Sequence, residues 1–351
     1  MSVFAVTIET IAGLEPIAGA DRIEIARLAG MDFQFVVGKG AHTPGEQVVY
    51  FPVDALLPDP LIERLGLVGR LSGAARNRVK TVVLRGQISQ GVVARLDVLP
   101  EGLTANVDPA VLTEALGVSK WEAPDVLTQD AVLRPLPDGQ SKYDIESADR
   151  FVEIAEALMD QPVFITEKVE GSNFWVRATP DGRVSVGQRG FTIEPKDGVE
   201  HSFVALARTH RVGELAAQEA ARRGVDVLVY GEALGPGIQG NLYRFPRHTI
   251  RFFDLRAGHH WIPAPEFLAT IQAFYGDHSL VVPVLQAPDG TTLRQWLAGK
   301  GIKEASNGPS RLGSTLREGV VIKPLVESRH SQLGRLVLKQ RSPQYLAKTE
   351  L

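Results

Sequence analysis

Short apolar segments that end near Gly or Pro restrict the fold of this chain more than any other feature of its sequence. Within the first hundred residues these segments are VFAVTIET, RIEIARLAG, DFQFVVG, EQVVYFPVD, RVKTVVLRG and SQGVVARL. Their length and their content of β-branched and aromatic residues indicate strands rather than helices. A series of short strands separated by frequent turns predicts a small closed β-barrel.

The remainder of the chain mixes strands with helices. Strands are predicted for residues 163–168 and for VDVLVYGEAL, TIRFFDLRA, EGVVIKPLV and RLVLKQRS. ESADRFVEIAEALM is predicted to be a helix with Ser147 as its N-cap, and EHSFVALARTHRVGELAAQEAARRG is predicted to be helical as far as Gly224. Because helices and strands do not alternate regularly, we expect an α+β domain of mostly antiparallel sheets flanked by helices.

A change in composition separates the two parts. The stretch APDVLTQDAVLRPLPDGQ has no hydrophobic periodicity and is rich in Pro, Asp and Gly. Such composition is typical of a linker. With 351 residues the chain is also long for one domain. We therefore predict a first domain over residues 1–122, a linker over 123–145 and a second domain over 146–351.

Overall composition excludes several classes of protein. The chain contains no cysteine, which rules out disulfides, thiolate metal sites and cysteine catalysis. A hydrophobic content of 44% and a charged content of 23% are ordinary for a globular protein. Neither a signal peptide nor a long apolar run is recognisable. We expect a cytoplasmic protein that does not interact with a membrane.

Positive charge is concentrated in one part of the first domain. Between Glu63 and Asp97 the only charged residues are basic, and they are Arg64, Arg70, Arg76, Arg78, Lys80, Arg85 and Arg95. An anionic partner could bind there. A solvated basic surface is the alternative, since residues 1–125 contain 11 Lys and Arg against 15 Asp and Glu.

In the second domain, charged residues occur repeatedly inside or at the ends of apolar strands. They are Lys168, Glu170, Arg189, Glu232, Asp254, Glu318, Lys323, Lys339 and Arg341. A charge in an apolar setting needs a partner or a ligand. If these strands converge, cations that neutralise phosphates and carboxylates that hold Mg²⁺ or a ribose hydroxyl form a nucleotide-phosphate pocket. A set of internal salt bridges would explain the same pattern.

The order of the charged segments resembles the motifs of the covalent nucleotidyltransferases, the superfamily of ATP-dependent DNA ligases, RNA ligases and mRNA capping enzymes. The matching segments run from KVEG at Lys168 through YGE, FFD and EGVVIK to LKQR at Arg341. DNA ligases and capping enzymes carry their OB domain after the last motif, whereas the predicted barrel lies before the first. That order, with EKVEGSN and EGVVIKP, is similar to the RNA ligase branch typified by the Deinococcus RNA ligase.

This resemblance implies an N-terminal OB-type β-barrel followed by a nucleotidyltransferase domain. It also implies an ATP-dependent RNA ligase that seals 3′-hydroxyl and 5′-phosphate ends in RNA repair, with nicks in a duplex as the expected breaks. Lys168 would form a lysyl-AMP intermediate, and AMP would then pass to the 5′-phosphate of the strand. The expected cofactors are ATP with Mg²⁺ or Mn²⁺. The expected partner of a monomeric enzyme is RNA, including RNA in duplex with RNA or DNA.

Roles for individual residues follow from the same resemblance. The expected catalytic residues are Lys168, Glu232, Glu318 and Lys339, of which Glu232 and Glu318 would also hold the metal. The expected nucleotide-binding residues are Glu167, Glu170, Asn173, Arg189, Phe253, Lys323 and Arg341. Among these, Glu167 would read the adenine amino group and Phe253 would stack on adenine, with Phe252 as the alternative. Gly171 would allow close approach of the backbone to the nucleotide. Nucleic-acid contacts are expected at Arg76, Arg78, Lys80 and Arg85.

Two other functions fit the same sequence. One is an ATP-dependent DNA ligase of unusual domain order, and the other is a nucleic-acid-binding protein that has lost catalysis. The second is disfavoured because every charged motif position is filled.

Overall fold

A computed structural model of the protein describes residues 4–121, 131–196 and 198–349. These residues divide into two compact units. The N-terminal unit contains the residues up to 121 together with 147–156 and 343–349. The larger unit contains residues 131–146 and 157–342. The prediction of one domain over 146–351 differs from this division because residues 147–156 belong with the first unit, where the Asp32 amide donates to the Asp149 carbonyl at 2.9 Å.

The described elements are mostly short strands. The strands are β1 Thr7–Pro16, β2 Ile23–Leu28, β3 Gln34–Gly38, β4 Gln47–Phe51, β5 Ala55–Leu56, β6 Thr81–Leu84, β7 Gln87–Gln90, β8 Val92–Arg95, β9 Ser119–Lys120, β10 Ala131–Pro135, β11 Glu146–Ser147, β12 Val163–Lys168, β13 Ser172–Ala178, β14 Val184–Gln188, β15 Phe191–Pro195, β16 Val227–Leu234, β17 Thr249–Ala257, β18 His260–Trp261, β19 Val284–Gln286, β20 Gly319–Pro324, β21 Arg329–His330, β22 Gly334–Arg335 and β23 Leu338–Arg341. The helices are α1 Asp59–Arg64, α2 Pro109–Ala115, α3 Val152–Ala157, α4 Ser202–Thr209, α5 Val212–Arg223, α6 Ala264–Tyr275, α7 Leu293–Leu297, α8 Ile302–Ser306 and α9 Pro343–Thr349.

The N-terminal unit is built on an antiparallel sheet with the order β3-β2-β1-β4-β8. Successive residues of β4 enter different core clusters, Val48 on one face and Val49 on the other, so the sheet is buried on both faces. In the described part of the chain no backbone ladder joins β3 to β8. Instead the amide of Val36 in β3 donates to the Ser89 hydroxyl in β7 at 3.0 Å. The predicted closed barrel is therefore an OB-like half-barrel.

The larger unit contains two antiparallel sheets. One has the order β10-β15-β14-β13-β16-β17-β18, and in the other β23, β20, β12 and β19 are neighbours in that order. Helices α4, α5 and α6 cover one face of the first sheet, where Phe203, Leu215 and Phe267 join Phe174 and Val229 in a single core cluster. The other face of that sheet contacts the second sheet, where Asp254 in β17 pairs with Lys323 in β20.

Two helix predictions need correction. The helix expected to begin at Ser147 begins at Val152, and Ser147 lies in the short strand β11. The long helical segment is interrupted at Arg211, whose φ of 54° is left-handed, which divides it into α4 and α5. Its expected end is confirmed, because Gly224 adopts a φ of 69° and donates its amide to the carbonyl of Ala220.

The predicted linker is partly a strand. Residues 123–130 lie outside the described residues, but Ala131–Pro135 forms β10 and pairs with β15. Its lack of hydrophobic periodicity reflects its position at the edge of the sheet, where side chains other than Ala131 stay largely exposed. In the described residues, no helix has the length and apolar character needed to cross a membrane.

Candidate active site

The second sheet of the larger unit carries its cationic side chains on one face. Lys168 at the end of β12 lies directly opposite Gly319 in β20, and Gly319 lies directly opposite Arg341 in β23. Paired residues of antiparallel strands point to the same face, and residues two apart along a strand share it. Lys323 and Lys339 therefore lie on the same face as Lys168 and Arg341.

Gly319 is needed for the close spacing of these strands. A Cβ atom at this position would lie 2.0 Å from the carbonyl oxygen of Gln340 and 2.9 Å from the Cα of Arg341. No other residue fits without moving β23. Glycine thus keeps Lys168 and Arg341 in line across the sheet.

Glu318, immediately before β20, is the carboxylate closest to Lys168. The Nζ of Lys168 donates to Oε1 of Glu318 at 2.7 Å, and the Nε of Arg341 lies 3.6 Å from the same oxygen. Glu318 is buried, and burial alone would raise its pKa. The charges of Lys168 and Arg341 outweigh that effect and hold the pKa of Glu318 below its usual range. Glu318 is therefore ionised at neutral pH.

Glu232 and Asn173 face this group from the first sheet. They are direct partners in the β13–β16 ladder and so project from the same face. Burial, reinforced by the nearby charges of Glu318 and Glu170, raises the pKa of Glu232 to about 8 despite the opposing charge of Lys168. In the free protein this carboxyl is largely protonated at pH 7. A bound cation would shift it to the ionised form.

We use the word cleft for the site that Lys168, Glu318, Glu232 and Asn173 form between the two sheets. Two buried oxygen atoms in the cleft are left without hydrogen bonds. They are Oε2 of Glu318 and Oδ1 of Asn173, and neither has a partner within the described residues. A buried oxygen of this kind normally accepts a hydrogen bond or binds a cation. Their position beside Lys168 and Glu232 suits a ligand that brings donors or a metal ion into the cleft.

The two candidate stacking residues, Phe252 and Phe253, lie in different surroundings. A β-bulge at Tyr230 and Gly231 places Phe252 opposite Gly231, in the core beneath the helices, where its ring stacks on Tyr275. Phe252 is fully buried there. Phe253 is half-buried and packs with Tyr230, on the face that carries Glu232. Phe253 is thus the phenylalanine of the pair that borders the cleft.

A buried ionic network connects the two sheets. Asp254 is 2% exposed, and its Oδ2 accepts from Lys323 Nζ at 2.9 Å and from the Tyr143 hydroxyl at 2.7 Å. Arg335 binds both oxygens of Asp254 and also pairs with Glu327. Burial alone would raise the pKa of Asp254. The charges of Arg335 and Lys323 outweigh that effect, so the pKa of Asp254 lies below its usual value. Lys323 is thereby tied to β17.

Glu167, which we expected to read adenine, lies on the opposite face of β12 from Lys168. Its carboxylate is 2% exposed and already accepts two hydrogen bonds. Oε2 accepts from the Ser310 hydroxyl at 2.8 Å, and Oε1 accepts from the Arg311 amide at 2.7 Å. The structure does not bring this side chain into the cleft with Glu232 and Asn173.

Gly171 and Glu170 are fixed by contacts within the protein. A Cβ at Gly171 would lie 2.5 Å from the carbonyl oxygen of Ala233, so the close approach that requires glycine is to the neighbouring strand rather than to a nucleotide. The Glu170 amide donates to the Tyr243 hydroxyl at 2.9 Å. Both residues hold the turn that follows Lys168.

The remaining predicted site residues are spread over both units. Arg189 lies in the turn between β14 and β15 with a φ of 27°. In the N-terminal unit, Arg78 pairs with Asp54 at 2.9 Å and its guanidinium lies 3.1 Å from the centre of the Trp121 ring, so it is engaged internally. The exposed residues of that group are Arg76, Lys80 and Arg85.

Sequence reasoning missed the residues that support the site from outside it, namely Tyr143, Tyr243, Ser310, Arg311 and Arg335. Their contacts join positions far apart in the chain, such as Arg335 with Asp254 and Ser310 with Glu167. No spacing rule links such positions. In the sequence, a tyrosine or arginine in a polar loop between two predicted elements does not show which distant residue it will contact.

Comparison with known families agrees with this geometry. A family model described as RNA ligase matches residues 161–341. A second, described as an OB-fold domain, matches residues 5–96. Because the first match spans more than half of the chain, the protein belongs to the RNA ligase family. The predicted RNA ligase branch with an N-terminal OB domain is confirmed, and with it the α+β fold class.

Solved structures of an RNA ligase from Naegleria gruberi are similar over the whole chain. A lysine-to-alanine mutant with ATP and Mn is 26% identical, with 99% of both chains covered and a TM-score of 0.79. A glutamate-to-alanine mutant with AMP and Mn is 26% identical, with the same coverage and a TM-score of 0.80. The enzyme with PPi is 25% identical, again with 99% of both chains covered, with a TM-score of 0.78. No curated protein matches the chain.

Proposed function

We propose that this RNA ligase uses ATP to join a 3′-hydroxyl to a 5′-phosphate through a lysyl-AMP intermediate on Lys168. The observation that carries the proposal is the ion pair between Lys168 and Glu318 on the cation-bearing face of the second sheet. The Naegleria gruberi structures with ATP, AMP and PPi support the choice of nucleotide.

In the first step Lys168 Nζ attacks the α-phosphorus of ATP. A P–N bond forms, the bond from the α-phosphorus to the oxygen bridging to the β-phosphate breaks, and pyrophosphate leaves. Glu318, ionised and 2.7 Å away, is placed to accept a proton from the lysine. Lys339 and Arg341 are proposed to bind the α-phosphate, whose negative charge they stabilise.

In the second step the 5′-phosphate of the RNA attacks the lysyl-AMP. A P–O bond to that phosphate forms, the P–N bond breaks and the lysine is released. In the third step the 3′-hydroxyl attacks the activated 5′-phosphate, and AMP leaves as the phosphodiester forms. We propose that the breaks are nicks in a duplex and that the enzyme serves RNA repair.

The chain's own side chains fit a divalent cation. Magnesium and manganese sites in nucleotide enzymes use one or two carboxylates together with phosphate oxygens. Glu318 offers an oxygen without a hydrogen-bond partner in the described residues, and Glu232 offers a carboxyl that a cation would ionise. Mg²⁺ or Mn²⁺ bound by Glu318 and Glu232 would neutralise phosphate charge.

The remaining roles concern binding of the substrates. Phe253 is proposed to stack on adenine, since it borders the cleft while Phe252 lies in the core. Glu170, Asn173 and Arg189 are proposed to contact the nucleotide. Lys323 is a weaker candidate for a further phosphate contact, because Asp254 and the carbonyl of Phe253 already engage its Nζ. In the N-terminal unit, Arg76, Lys80 and Arg85 are proposed to bind RNA phosphates. Arg78 is the weakest member of that set because Asp54 and Trp121 already engage it.

Incubation with α-labelled ATP and Mg²⁺ or Mn²⁺ tests the chemistry. Label should remain on the denatured protein, disappear in Lys168→Ala and persist in Lys300→Ala, a variant at an exposed lysine. Absence of label from the unmodified protein with either metal would exclude the proposed mechanism.

Nicked duplexes then define the substrate. The strands at the nick are varied between ribose and deoxyribose at the 3′-hydroxyl end, on RNA and DNA templates. Sealing that requires a ribose end supports an RNA ligase in this role, whereas equal sealing of deoxyribose ends would support DNA ligation instead. Failure to seal a nick, with efficient joining of single strands, would contradict the duplex part of the proposal.

A further inference from the structure

Glu167 combines three properties that a nucleotide-reading residue would not need. It is adjacent to Lys168, it points away from the cleft, and each of its oxygens accepts a hydrogen bond from one loop, residues 308–317. Burial raises the pKa of this carboxyl, although the hydrogen bonds from Arg311 and Ser310 oppose the rise. A buried carboxyl with this many partners contributes mainly to the geometry of the loop that it holds.

The loop itself is closed by its own hydrogen bonds. The Ser310 amide donates to the Thr315 carbonyl at 2.8 Å, and the Arg317 amide donates to the Gly308 carbonyl at 3.0 Å. The Ser310 hydroxyl, besides donating to Glu167, accepts from the Leu312 amide at 3.0 Å. These hydrogen bonds link residues 308–317 to one another, and Ser310 links the loop to Glu167.

The same loop also contacts the other side of the Lys168 turn. Gly313 packs against the backbone of Tyr243, where an added Cβ would lie 3.2 Å from the carbonyl oxygen. The Tyr243 hydroxyl accepts from the amide of Glu170. The segment from Glu167 to Glu170 is thus connected to the loop at both ends, with Lys168 between.

The loop ends at Glu318, the carboxylate that binds Lys168. Beyond this point the Ser342 amide donates to the Glu318 carbonyl at 2.8 Å, which fixes the start of β20. The position of Glu318 on its loop side depends on residues 308–317. Glu167 is therefore connected through this loop to Glu318, which binds Lys168 on the other side of the strand.

We infer that Glu167 is a positioning residue: with Ser310 and Arg311 it aligns Glu318 with Lys168 and does not contact adenine. The inference rests on the proposed adenylylation of Lys168 for its kinetic test. It assigns the loop 308–317 to the alignment of the reacting groups and predicts that Ser310, on a different element, shares the phenotype of Glu167.

The kinetic test compares Glu167→Gln and Ser310→Ala with Ser314→Ala, a matched control at an exposed serine of the same loop. Loss of a hydrogen bond to a buried carboxylate should slow self-adenylylation at saturating ATP by about tenfold. The KM for ATP should stay within about twofold, because ground-state binding is unchanged. Ser310→Thr, which keeps the hydroxyl, should restore the rate.

Inosine triphosphate separates the two roles, since it carries an oxygen in place of the adenine amino group. A positioning residue should slow reactions with ATP and with inosine triphosphate by the same factor. If Glu167→Gln lost the preference for ATP while Ser310→Ala kept the normal rate, Glu167 would read the base and the inference would be overturned.

Hydrogen exchange provides a readout that does not depend on activity. In Glu167→Gln and Ser310→Ala, amides of residues 308–318 should exchange faster than in the unmodified protein, whereas Ser314→Ala should leave them unchanged. Unchanged exchange in the first two variants would refute the inference even if the protein formed no lysyl-AMP. Absence of label on the unmodified protein, with faster exchange in the variants, would refute only the proposed chemistry.

Discussion

Replacement of Asp254 by Asn should destabilise the larger unit by about 3 kcal/mol, because it removes one member of a buried ionic network. Asn has the same shape and can still accept from Tyr143, so packing is preserved. Arg335 keeps Glu327 as a partner. Lys323, whose side chain is 6% exposed, loses the negative charge of Asp254 and retains the neutral carbonyl of Phe253 at 2.6 Å. The cost comes from this one buried cation.

The magnitude lies at the lower end of the range for breaking a buried ion pair, about 3–5 kcal/mol. For a folding unit of this size it corresponds to a fall in Tm of about 6–12 °C. Since the pKa of Asp254 is lowered in the folded state, its contribution is present at neutral pH and is lost as the pH falls through the folded pKa. The difference between Asp254→Asn and the unmodified protein should therefore shrink below about pH 4.

Urea unfolding of the single variants and of the double variant Asp254→Asn, Lys323→Met forms the assay. Removal of both charges should recover at least about 1 kcal/mol relative to the sum of the single changes. Asp160→Asn breaks an exposed ion pair with Arg294 and should leave the transition unchanged. A cost below about 1 kcal/mol for Asp254→Asn, with additive single changes, would refute the reasoning.

Three further predictions concern the cleft. Because the pKa of Glu232 is raised to about 8, the free energy of unfolding should fall as the pH rises from about 4.5 through 8. Urea titrations at several pH values should show a flatter pH dependence for Glu232→Gln. The same pH dependence in the variant and the unmodified protein would contradict a raised pKa at Glu232. Gly319→Ala should cost more than about 3 kcal/mol by the same measurement, since its Cβ would lie 2.0 Å from a carbonyl oxygen, whereas Gly301→Ala, with no atom within 4 Å of its Cβ, should be tolerated. Phe253→Ala should raise the KM for ATP by about tenfold, and a urea titration of the same variant gives the separate cost of its lost packing on Tyr230; an unchanged KM would place the stacking residue elsewhere.

Much of the site could be predicted because strands have a period of two. Lys339 and Arg341 are two apart and share a face, as their spacing requires. The same rule would place Glu167 and Lys168 on opposite faces, but the sequence did not show which face borders the cleft. It also did not show that Ser310 and Arg311 occupy the carboxylate of Glu167.

The choice between Phe252 and Phe253 illustrates the same limit. Alternation in β17 requires that the two rings point to different sides, which is visible in the letters FFD. Which of the two rings points toward the cleft depends on the bulge at Tyr230 and Gly231, because this bulge shifts the pairing of β17 with β16. A bulge is a property of the ladder between two strands, and no signal for it lies in β17 alone.

By itself the sequence determined the type of the elements, the order of the charged segments and the glycines between them, since these depend on local periodicity and on residue chemistry. Only the tertiary structure decided which charges neutralise one another. Asp254 is a structural partner of Lys323 and Arg335, whereas Glu318 meets Lys168 in the cleft. The pairing of charges and the pKa values that follow from it depend on burial and on distances across two sheets, and neither is encoded in the spacing along one strand.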